Sequence, residues 1–480
     1  MISSSCRICF AALALPWAAI SSILKKSNQR NCSTLGLKQK SHCFVQNLFA
    51  QSVQDKADVE DISAKYQITL NKQWHPSFNT QVGDGPNSLT SGRDSMYTTS
   101  ATAHWGFRPW QGGELYFDPE MVTGVPFAGA LVGVGGFTNG EITRAAGANP
   151  TFYRQRLFLR QTWGLGGEQE HVESDFNQLA GFVDSNRMVL TVGNFSILDV
   201  FDPNSYAKNQ RTQFQNWGSW TYAAYDYAAD ARGYGWGFAT EWYHNDWVYR
   251  IGRMTTPVTP NVEAVDLNLM QHYGDQIEIE RSYNLGERPG SVRLLVYHDR
   301  AEMASFNDAT AYLSRLNYPA QSSPSALIAV RTGNKDKYGI GINFEQSLDP
   351  SVGFFLRAMK SDGKTETLAF TEVDSSLSTG FLVNGSNWKR PDDSVGMALM
   401  IDWVSADRLR YLEAGGVSFF IGDGYRNFRS APEQILETFY SINFAKNNWI
   451  TLDWQFLQNP AYNAERAPVN VFGVRYHGEF

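Results

Sequence analysis

The sequence predicts an all-β fold, a transmembrane antiparallel β-barrel of about 16 strands with long extracellular loops and short periplasmic turns. Two observations support this prediction. From Ile62 onward, many short segments alternate apolar and polar residues with a period of two, so that one face of each strand avoids water. The last segment ends the chain on an aromatic residue, Phe480. A soluble β-sandwich would not need so many strands of this kind, so the repetition favours the barrel.

The final segment has one apolar and one polar phase. Arg475 and Glu479 belong to the polar phase, which would face a wet lumen. A strand ending on an aromatic carboxy-terminal residue is typical of the closing strand of an outer-membrane barrel. Taken alone, this segment fits the edge strand of a soluble sandwich equally well. The apolar phase, expected to face lipid, consists of Phe472, Val474, Tyr476 and Phe480.

The composition of the 480-residue chain agrees with an exported barrel. The net charge of −7 gives no reason to expect a nucleic-acid partner. The 14 Trp, 22 Tyr and 30 Phe residues could supply two aromatic girdles. A chain that crosses the oxidising periplasm avoids unwanted disulfides by lacking cysteine. All four cysteines lie near the start of the chain: Cys6, Cys9, Cys32 and Cys43.

The first 50 residues are predicted to be a signal or targeting segment that is cleaved on export. The apolar run Phe10–Leu24 is shorter than the roughly 20 residues that a membrane helix needs. Basic residues follow this run, although they precede it in an ordinary signal peptide; a true start inside the written sequence is therefore an alternative. Residues 51–65 are predicted to be a short periplasmic segment, and residues 66–480 to form the barrel.

Tight turns and long irregular stretches alternate along the predicted barrel. Short turns containing Asn, Asp or Gly, such as Lys446–Asn448, are typical of hairpins. The hairpins predicted in this way are Gly237–Tyr243 with Trp247–Arg253, Gln276–Glu280 with Val292–Tyr297, and Tyr338–Glu345 with Val352–Arg357. The irregular stretches are predicted to form the long loops on the other side: Gly164–Ser185, Phe201–Arg232, Met303–Lys335 and Ser405–Gln434.

The sequence lacks the motifs that indicate common enzymes. It contains no G-x-S-x-G, H-E-x-x-H or Walker A motif, and no C-x-x-C after residue 43. Asp199–Asn204 carries enough oxygen atoms for a hard cation, but Asp-Pro-Asn is more often a plain turn. We therefore predict no enzymatic activity, no metal and no cofactor. A serine hydrolase assembled from distant residues is the least favoured alternative.

Polar phases of several strands predict the lining of a pore. Arg154, Arg156 and Arg160 lie on one face of a single strand, and guanidinium groups there cannot face lipid without a large cost, so they are predicted to face the lumen or lie near its rim. A lumen with charges of both signs suits neutral, polyhydroxylated solutes, because these groups bind hydroxyls. The alternative is that the charges only pair with each other or with water. The other predicted pore-lining residues are Glu278, Glu280, Glu345, Arg357 and Asp453.

Several stretches, taken in order, resemble the carbohydrate-selective porins of the OprB type. The resemblance implies a 16-stranded barrel that lets sugars diffuse across the Gram-negative outer membrane, with an arginine-containing constriction onto which Arg156 and Arg160 are carried. One departure from the family pattern is Ala461, where a glycine would be expected. The matching stretches are Gly113–Glu120, Gly135–Glu141, Arg156–Trp163, Gly193–Phe195, Asp199–Asn216, Leu412–Gly424 and Asn459–Arg466.

The predicted function is passive diffusion of glucose-like mono- and oligosaccharides through a charge-lined pore. A general or anion-preferring porin on the same barrel, and a soluble glycan-binding β-protein, are the alternatives. The expected partners are carbohydrate solutes, outer-membrane lipid and lipopolysaccharide, and the barrel assembly machinery, which would recognise the C-terminal strand.

Overall fold

Sixteen antiparallel strands form a closed barrel in the computed structural model, and the last strand pairs with the first. The structure describes residues 59–80, 83–145, 147–316, 325–369, 371–423 and 429–480. The predicted signal or targeting segment, residues 1–50, lies outside the described residues. The prediction of an all-β, antiparallel barrel of about 16 strands is confirmed.

The strands vary in length, and the first one begins at Ile62, inside the segment 51–65 that was expected to be periplasmic. A separate two-stranded sheet, β5 (Gln169–Val172) and β6 (Gly181–Asp184), lies between β4 and β7 in the chain. The barrel strands are β1 (Ile62–His75), β2 (Asp94–Trp110), β3 (Gly113–Val125), β4 (Gly147–Gly164), β7 (Arg187–Phe195), β8 (Gly235–His244), β9 (Trp247–Met254), β10 (Tyr273–Leu285), β11 (Arg288–Glu302), β12 (Asn334–Asp349), β13 (Val352–Ser361), β14 (Ser375–Gly385), β15 (Arg390–Trp403), β16 (Glu433–Ala445), β17 (Asn448–Gln458) and β18 (Val469–Glu479).

Period-two alternation separates the outer face of the wall from its inner face. In β12, Ile340 and Ile342 are exposed on the outside, whereas Asn343 is fully buried on the inside. In β10, Ile277 is exposed while its neighbour Glu278 is buried. The apolar phase therefore meets lipid, and the polar phase meets the lumen.

The closing strand β18 lies between β17 and β1. Its residues Phe472, Val474 and Tyr476 pair with Trp74, Lys72 and Leu70 of β1 in register. Phe480 follows the strand and exchanges two backbone hydrogen bonds with Tyr66, at 2.8 and 2.9 Å. The side chains of Phe472, Val474 and Phe480 are exposed on the outer face.

Two-residue turns define one end of the barrel, which we call the turn end; the opposite end is the loop end. Gly112 shows why a glycine suits such a turn: its φ is +74°, and a Cβ atom there would lie 2.2 Å from the carbonyl oxygen of Thr162. The two-residue turns are Gln111–Gly112, Asn245–Asp246, Gly286–Glu287, Pro350–Ser351 and Lys446–Asn447.

The prediction that Gly164–Ser185 belongs with the long extracellular loops is wrong. Because β4 runs toward the turn end, the connection that follows it must start there. The amide of Thr162, near the end of β4, donates to the carbonyl of Gly112 in the β2–β3 turn, at 2.8 Å. The direction of the preceding strand, and not the length of the connection, decides at which end of a barrel a connection lies.

The connection between β7 and β8, residues 196–234, folds into the barrel and is called here the lumenal segment. It includes the short helix α1 (Trp217–Trp220). Its aromatic residues pack against the inner wall; the Phe214 ring, for example, lies 5.5 Å from Phe355 and 5.1 Å from Phe439. These contacts form the main apolar core on the inside of the barrel.

Short helices lie at the loop end of the barrel. They are α2 (Phe306–Leu316), α3 (Ser325–Val330) and α4 (Ala406–Glu413). Phe306, Leu313, Leu327 and Tyr411 form a small apolar cluster between them. Among the described residues, no helix combines the length and the apolar character needed to cross a membrane.

Candidate functional site in the barrel lumen

A cavity of about 870 Å³ lies inside the barrel, between the lumenal segment and the wall. Its lining combines guanidinium, carboxylate, amide and aromatic groups. The wall supplies Arg156, Phe158, Arg160, Arg293 and Glu345, the lumenal segment supplies Asp199, Lys208, Arg211 and Arg232, and the turn end supplies Asp175, Phe176, Asn177 and Gln178.

Arg156 is held by two carboxylates at the cavity wall. Its guanidinium donates to both oxygens of Asp199, from Nε at 2.8 Å and from Nη2 at 2.7 Å. Nη1 donates more weakly to Asp118, at 3.3 Å. The two-pronged contact fixes the plane of the guanidinium, and part of the side chain stays accessible from the cavity. Arg156 therefore presents an ordered positive group to a solute.

Arg160 lies closer to the turn end. Its Nη1 donates to the carbonyl oxygen of Asn177, at 2.9 Å. The guanidinium lies over the Tyr116 ring, 5.3 Å from the ring centre, and 3.7 Å from the carboxylate of Glu114. Arg160 thus joins the wall to the segment that enters the lumen from the turn end.

Arg154 does not share the face of Arg156 and Arg160. Asp118 pairs with Arg156 and Pro119 pairs with Arg154, so Gln155 is an extra residue in β4, a β-bulge. The bulge reverses the alternation, and the Arg154 guanidinium lies 4.9 Å from the ring centre of Trp236 and donates to Asn194, at 3.2 Å. Both partners lie next to the loop-end termini of β8 and β7, so Arg154 lies on the outer face near the loop-end rim.

Glu278 and Arg357 hold the lumenal segment in place. The carboxylate of Glu278 accepts a hydrogen bond from the amide of Asp202, at 2.9 Å. Arg357 donates to the Asp202 carboxylate at 2.8 Å and to the Ser219 carbonyl at 2.9 Å. Both wall residues are buried behind the segment, so they position it and do not line the cavity.

Glu280, Glu345 and Asp453 are also on the inner face but differ in their surroundings. Arg293 donates to Glu280 and to Glu345, at 3.0 Å in both cases. Of these three carboxylates, Glu345 lines the cavity, and it also accepts from the amide of Ser205 at 2.6 Å. Asp453 is buried and accepts from Gln455 at 3.0 Å.

Residues 173–180, which we call the turn-end segment, enter the lumen from the end opposite the long loops. Asn177 donates to Asp118 at 2.8 Å. The amide of Leu179 donates to the hydroxyl of Tyr116 at 3.1 Å, and Leu179 is buried against the wall. The ring of Phe176 lies 4.6 Å from that of His104. The cavity is thus bounded by inserted segments from both ends.

Arg211 is an important residue that sequence reasoning missed. Its guanidinium donates to Glu141 at 2.6 Å, to Glu120 at 2.7 Å and to Thr102 at 3.0 Å. Glu120 could have been found, since it continues the polar phase of β3. Arg211 lies in an irregular stretch, where no periodicity indicates the direction of a side chain.

The pKa values of Asp199 and Lys208, two lumenal-segment residues at the cavity, are both lowered. Burial opposes ionisation of Asp199, but the adjacent Arg156 charge and its hydrogen bonds hold the pKa of Asp199 below its usual range. Burial lowers the pKa of Lys208 to about 8, although the nearby Asp202 carboxylate favours the charged amine. Asp199 is therefore a fixed anion at neutral pH, while Lys208 can lose its charge in mildly alkaline solution.

A closed barrel with an apolar outer face and a polar cavity inside is the architecture of an outer-membrane porin. The sequence matches the model of the carbohydrate-selective porin, OprB family, over residues 98–480. The chain belongs to this family. The family resemblance found in the sequence is thereby confirmed, and with it the prediction of an outer-membrane porin for carbohydrates.

The chain is similar to solved structures at low sequence identity, and the first of those named here shares its fold. Pseudomonas putida OprB, in its high-pH structure, is 13% identical with a TM-score of 0.63, and the match covers 88% of this chain and 94% of that chain. The outer membrane channel DcaP of Acinetobacter baumannii is 9% identical with a TM-score of 0.45, over 88% and 97% of the two chains. No curated protein sequence matches the chain.

Proposed function

We propose that carbohydrates cross this barrel by passive diffusion through the 870 Å³ cavity, contacting Arg156, Arg160 and Glu345 on the way. The observation that carries this proposal is the lining, which places accessible hydrogen-bonding groups beside a partly exposed aromatic ring, Phe176. Guanidinium and carboxylate groups bind sugar hydroxyls, and an aromatic face can stack on a pyranose ring.

The mechanism requires weak binding. Arg156 and Arg160 already have protein partners. A solute hydroxyl that binds either arginine therefore replaces a hydrogen bond that is present in the empty pore. This exchange leaves little net gain in free energy, and a sugar can therefore enter and leave quickly. Transport follows the concentration gradient.

Liposome swelling tests the proposed path. We expect liposomes containing the protein to swell in glucose much faster than bare liposomes. Arg160→Gln should change the order of rates among sugars, because a neutral amide replaces a charged donor. An equal rate with and without the protein would contradict the proposal, and heat-modified gel mobility would show that the variant barrel is folded.

Anion preference on the same barrel is a second candidate function. The cavity lining holds seven basic side chains, those of Arg144, Arg156, Arg160, Lys208, Arg211, Arg232 and Arg293, against three acidic ones, those of Asp175, Asp199 and Glu345. An excess of positive charge favours anions. Reversal potentials in a salt gradient measure this preference, and block of the current by sugar measures the carbohydrate interaction independently.

We also propose two further properties of the chain. It acts as a channel and catalyses no reaction. Its family supports this, as does the pairing of its lumenal charges with one another. Its exposed C-terminal aromatic residue, Phe480, supports recognition by the barrel assembly machinery.

A further inference from the structure

A second cleft lies on the outer wall of the barrel and is separate from the lumenal cavity. It has a volume of about 430 Å³ and is lined by Lys72, Trp74, Arg93, Asp94 and Ser95. Lys72 and Trp74 belong to the outward phase of β1, close to its loop end, and the others lie where β2 begins. The transport path does not use this cleft.

Lys72 is a charged residue between apolar neighbours on the lipid-facing wall. Its neighbours in the same phase are Leu70, which is exposed, and Trp74. A lysine facing lipid costs ~2–4 kcal/mol at the bilayer centre and ~0–1 kcal/mol near the interface. Its ammonium reaches toward the loop end and donates to Ser95, at 2.9 Å. This brings the charge to the level of the Trp74 ring, where lipid headgroups lie.

The cleft holds two cations and a single carboxylate, so one positive charge is left without an internal counter-ion. The carboxylate of Asp94 already accepts from the amide of Ala128 at 2.6 Å and from that of Ser95 at 2.7 Å. Arg93 is exposed and has no hydrogen-bond or ion-pair partner within the described part of the chain. A free guanidinium beside an ammonium is suited to a phosphate group.

Apolar side chains continue below the two cations. Trp74 stacks on Phe472 of β18, with ring centres 6.1 Å apart. Leu70, Phe472 and Val474 are 42%, 38% and 39% exposed on the same part of the wall, toward the membrane interior. The cations and the rings of Trp74 and Phe472 thus lie toward the loop end, and the aliphatic side chains of Val474 and Leu70 lie deeper, which matches the order of headgroup and acyl chain in a lipid.

We propose that this cleft binds the phosphorylated headgroup of an outer-leaflet glycolipid, with its acyl chains on Leu70, Phe472 and Val474. Arg93 and Lys72 contact the phosphate, and Trp74 lies at the boundary between headgroup and acyl chain. Because the cleft lies on the strands next to the β1–β18 seam, the bound lipid also covers the seam from outside.

Native mass spectrometry of the detergent-purified barrel with diphosphoryl lipid A tests the site. We expect retention of lipid A by the wild type, about ten-fold weaker retention by the double variant Lys72→Gln, Arg93→Gln, and weak retention of dephosphorylated lipid A by both. The matched control is Lys360→Gln, an exposed lysine near the loop end of β13 that does not line the cleft. It should retain lipid A as the wild type does.

Other outcomes would overturn the proposal. Equal retention by the wild type and the double variant places the lipid elsewhere, and equal loss in Lys360→Gln indicates a general charge effect. Displacement of lipid A by inorganic phosphate alone would make the cleft a free-anion site. If the double variant does not fold, judged by heat-modified gel mobility, Arg93→Gln replaces it, because Arg93 is exposed and makes no internal bond.

Discussion

At the scale of single residues, one extra residue decides which arginines reach the pore. Simple alternation places Arg154, Arg156 and Arg160 on one face, and the polar type of each was readable from the sequence. The bulge at Gln155 was not readable, because it depends on how β4 pairs with β3 around Asp118 and Pro119. A one-residue change of phase moves every side chain beyond it to the other face.

Substitution of Arg156 and of Arg154, which lie on either side of this bulge, distinguishes an arginine in the pore from one on the outer wall. Arg156→Gln removes one positive charge from the cavity and frees Asp199. A unit charge about 4 Å from an ion in water contributes about 1 kcal/mol, so the anion-to-cation permeability ratio should fall roughly two- to five-fold. Arg154→Gln should leave the ratio unchanged. Reversal potentials in a potassium chloride gradient provide the measurement, and equal shifts in both variants would show that the bulge assignment is wrong.

Lys208 gives the pore a pH dependence of known sign. Its pKa is lowered to about 8 by burial, so the amine is mostly charged at pH 6 and mostly neutral at pH 10. Anion preference should therefore decline as the pH rises through 8. Lys208→Arg should remove this decline, since a guanidinium stays charged, and Lys208→Met should show the alkaline value throughout. If Lys208→Arg shows the same pH profile as the wild type, the titrating group is not Lys208.

At the scale of elements, the strands were predictable and the inserted segments were not. The hairpins β8–β9, β10–β11 and β12–β13 lie where period-two patterns and tight turns predict them. The turn-end segment escaped prediction because its position follows from strand direction, which requires a correct count of all preceding strands. The lumenal segment is held by contacts distant in sequence, such as that between Arg357 and Asp202, which no local pattern reveals.

The turn-end segment should narrow the pore. Val172 and Gly181 are paired in the small hairpin, so residues 173–180 can be replaced by Asn-Gly, which suits a two-residue hairpin turn. The variant loses Asp175, Phe176, Asn177 and Gln178 from the cavity lining, and its single-channel conductance should rise. Asn177→Gly, which keeps the left-handed backbone (φ +54°) and removes only the side-chain bonds to Asp118 and His104, should have a smaller effect.

Two controls make this result interpretable. The replacement also removes the buried Leu179, so the unfolding midpoint in denaturant is expected to fall. Conductance is therefore read only from barrels with native heat-modified mobility. An unchanged conductance in such barrels would show that the turn-end segment does not restrict the path.

At the scale of the whole molecule, the polar inner face has two uses. Part of it, including Glu278 and Arg357, is buried behind the lumenal segment and holds it in place. Part of it, including Arg156 and Arg160, borders the cavity, and Arg156 also holds Asp199 of the segment. Sequence patterns assign both groups to the lumen, because each has the same phase in its strand. They cannot separate anchors from lining residues, since that difference depends on where the inserted segment lies.

The side chain of Phe480, which follows the closing strand, can act in the stability of the barrel or in its assembly. Phe480 bonds to Tyr66 through its backbone only, and its side chain is 66% exposed. Phe480→Ala should therefore leave the unfolding midpoint of the refolded barrel nearly unchanged. If the assembly machinery recognises the terminal ring, the same variant should accumulate more slowly in the outer membrane of cells. Phe444→Ala, which removes another exposed ring near the turn end, serves as the control. Equal accumulation of Phe480→Ala and wild type would contradict recognition through Phe480, whereas a lowered midpoint would show that the ring stabilises the seam itself.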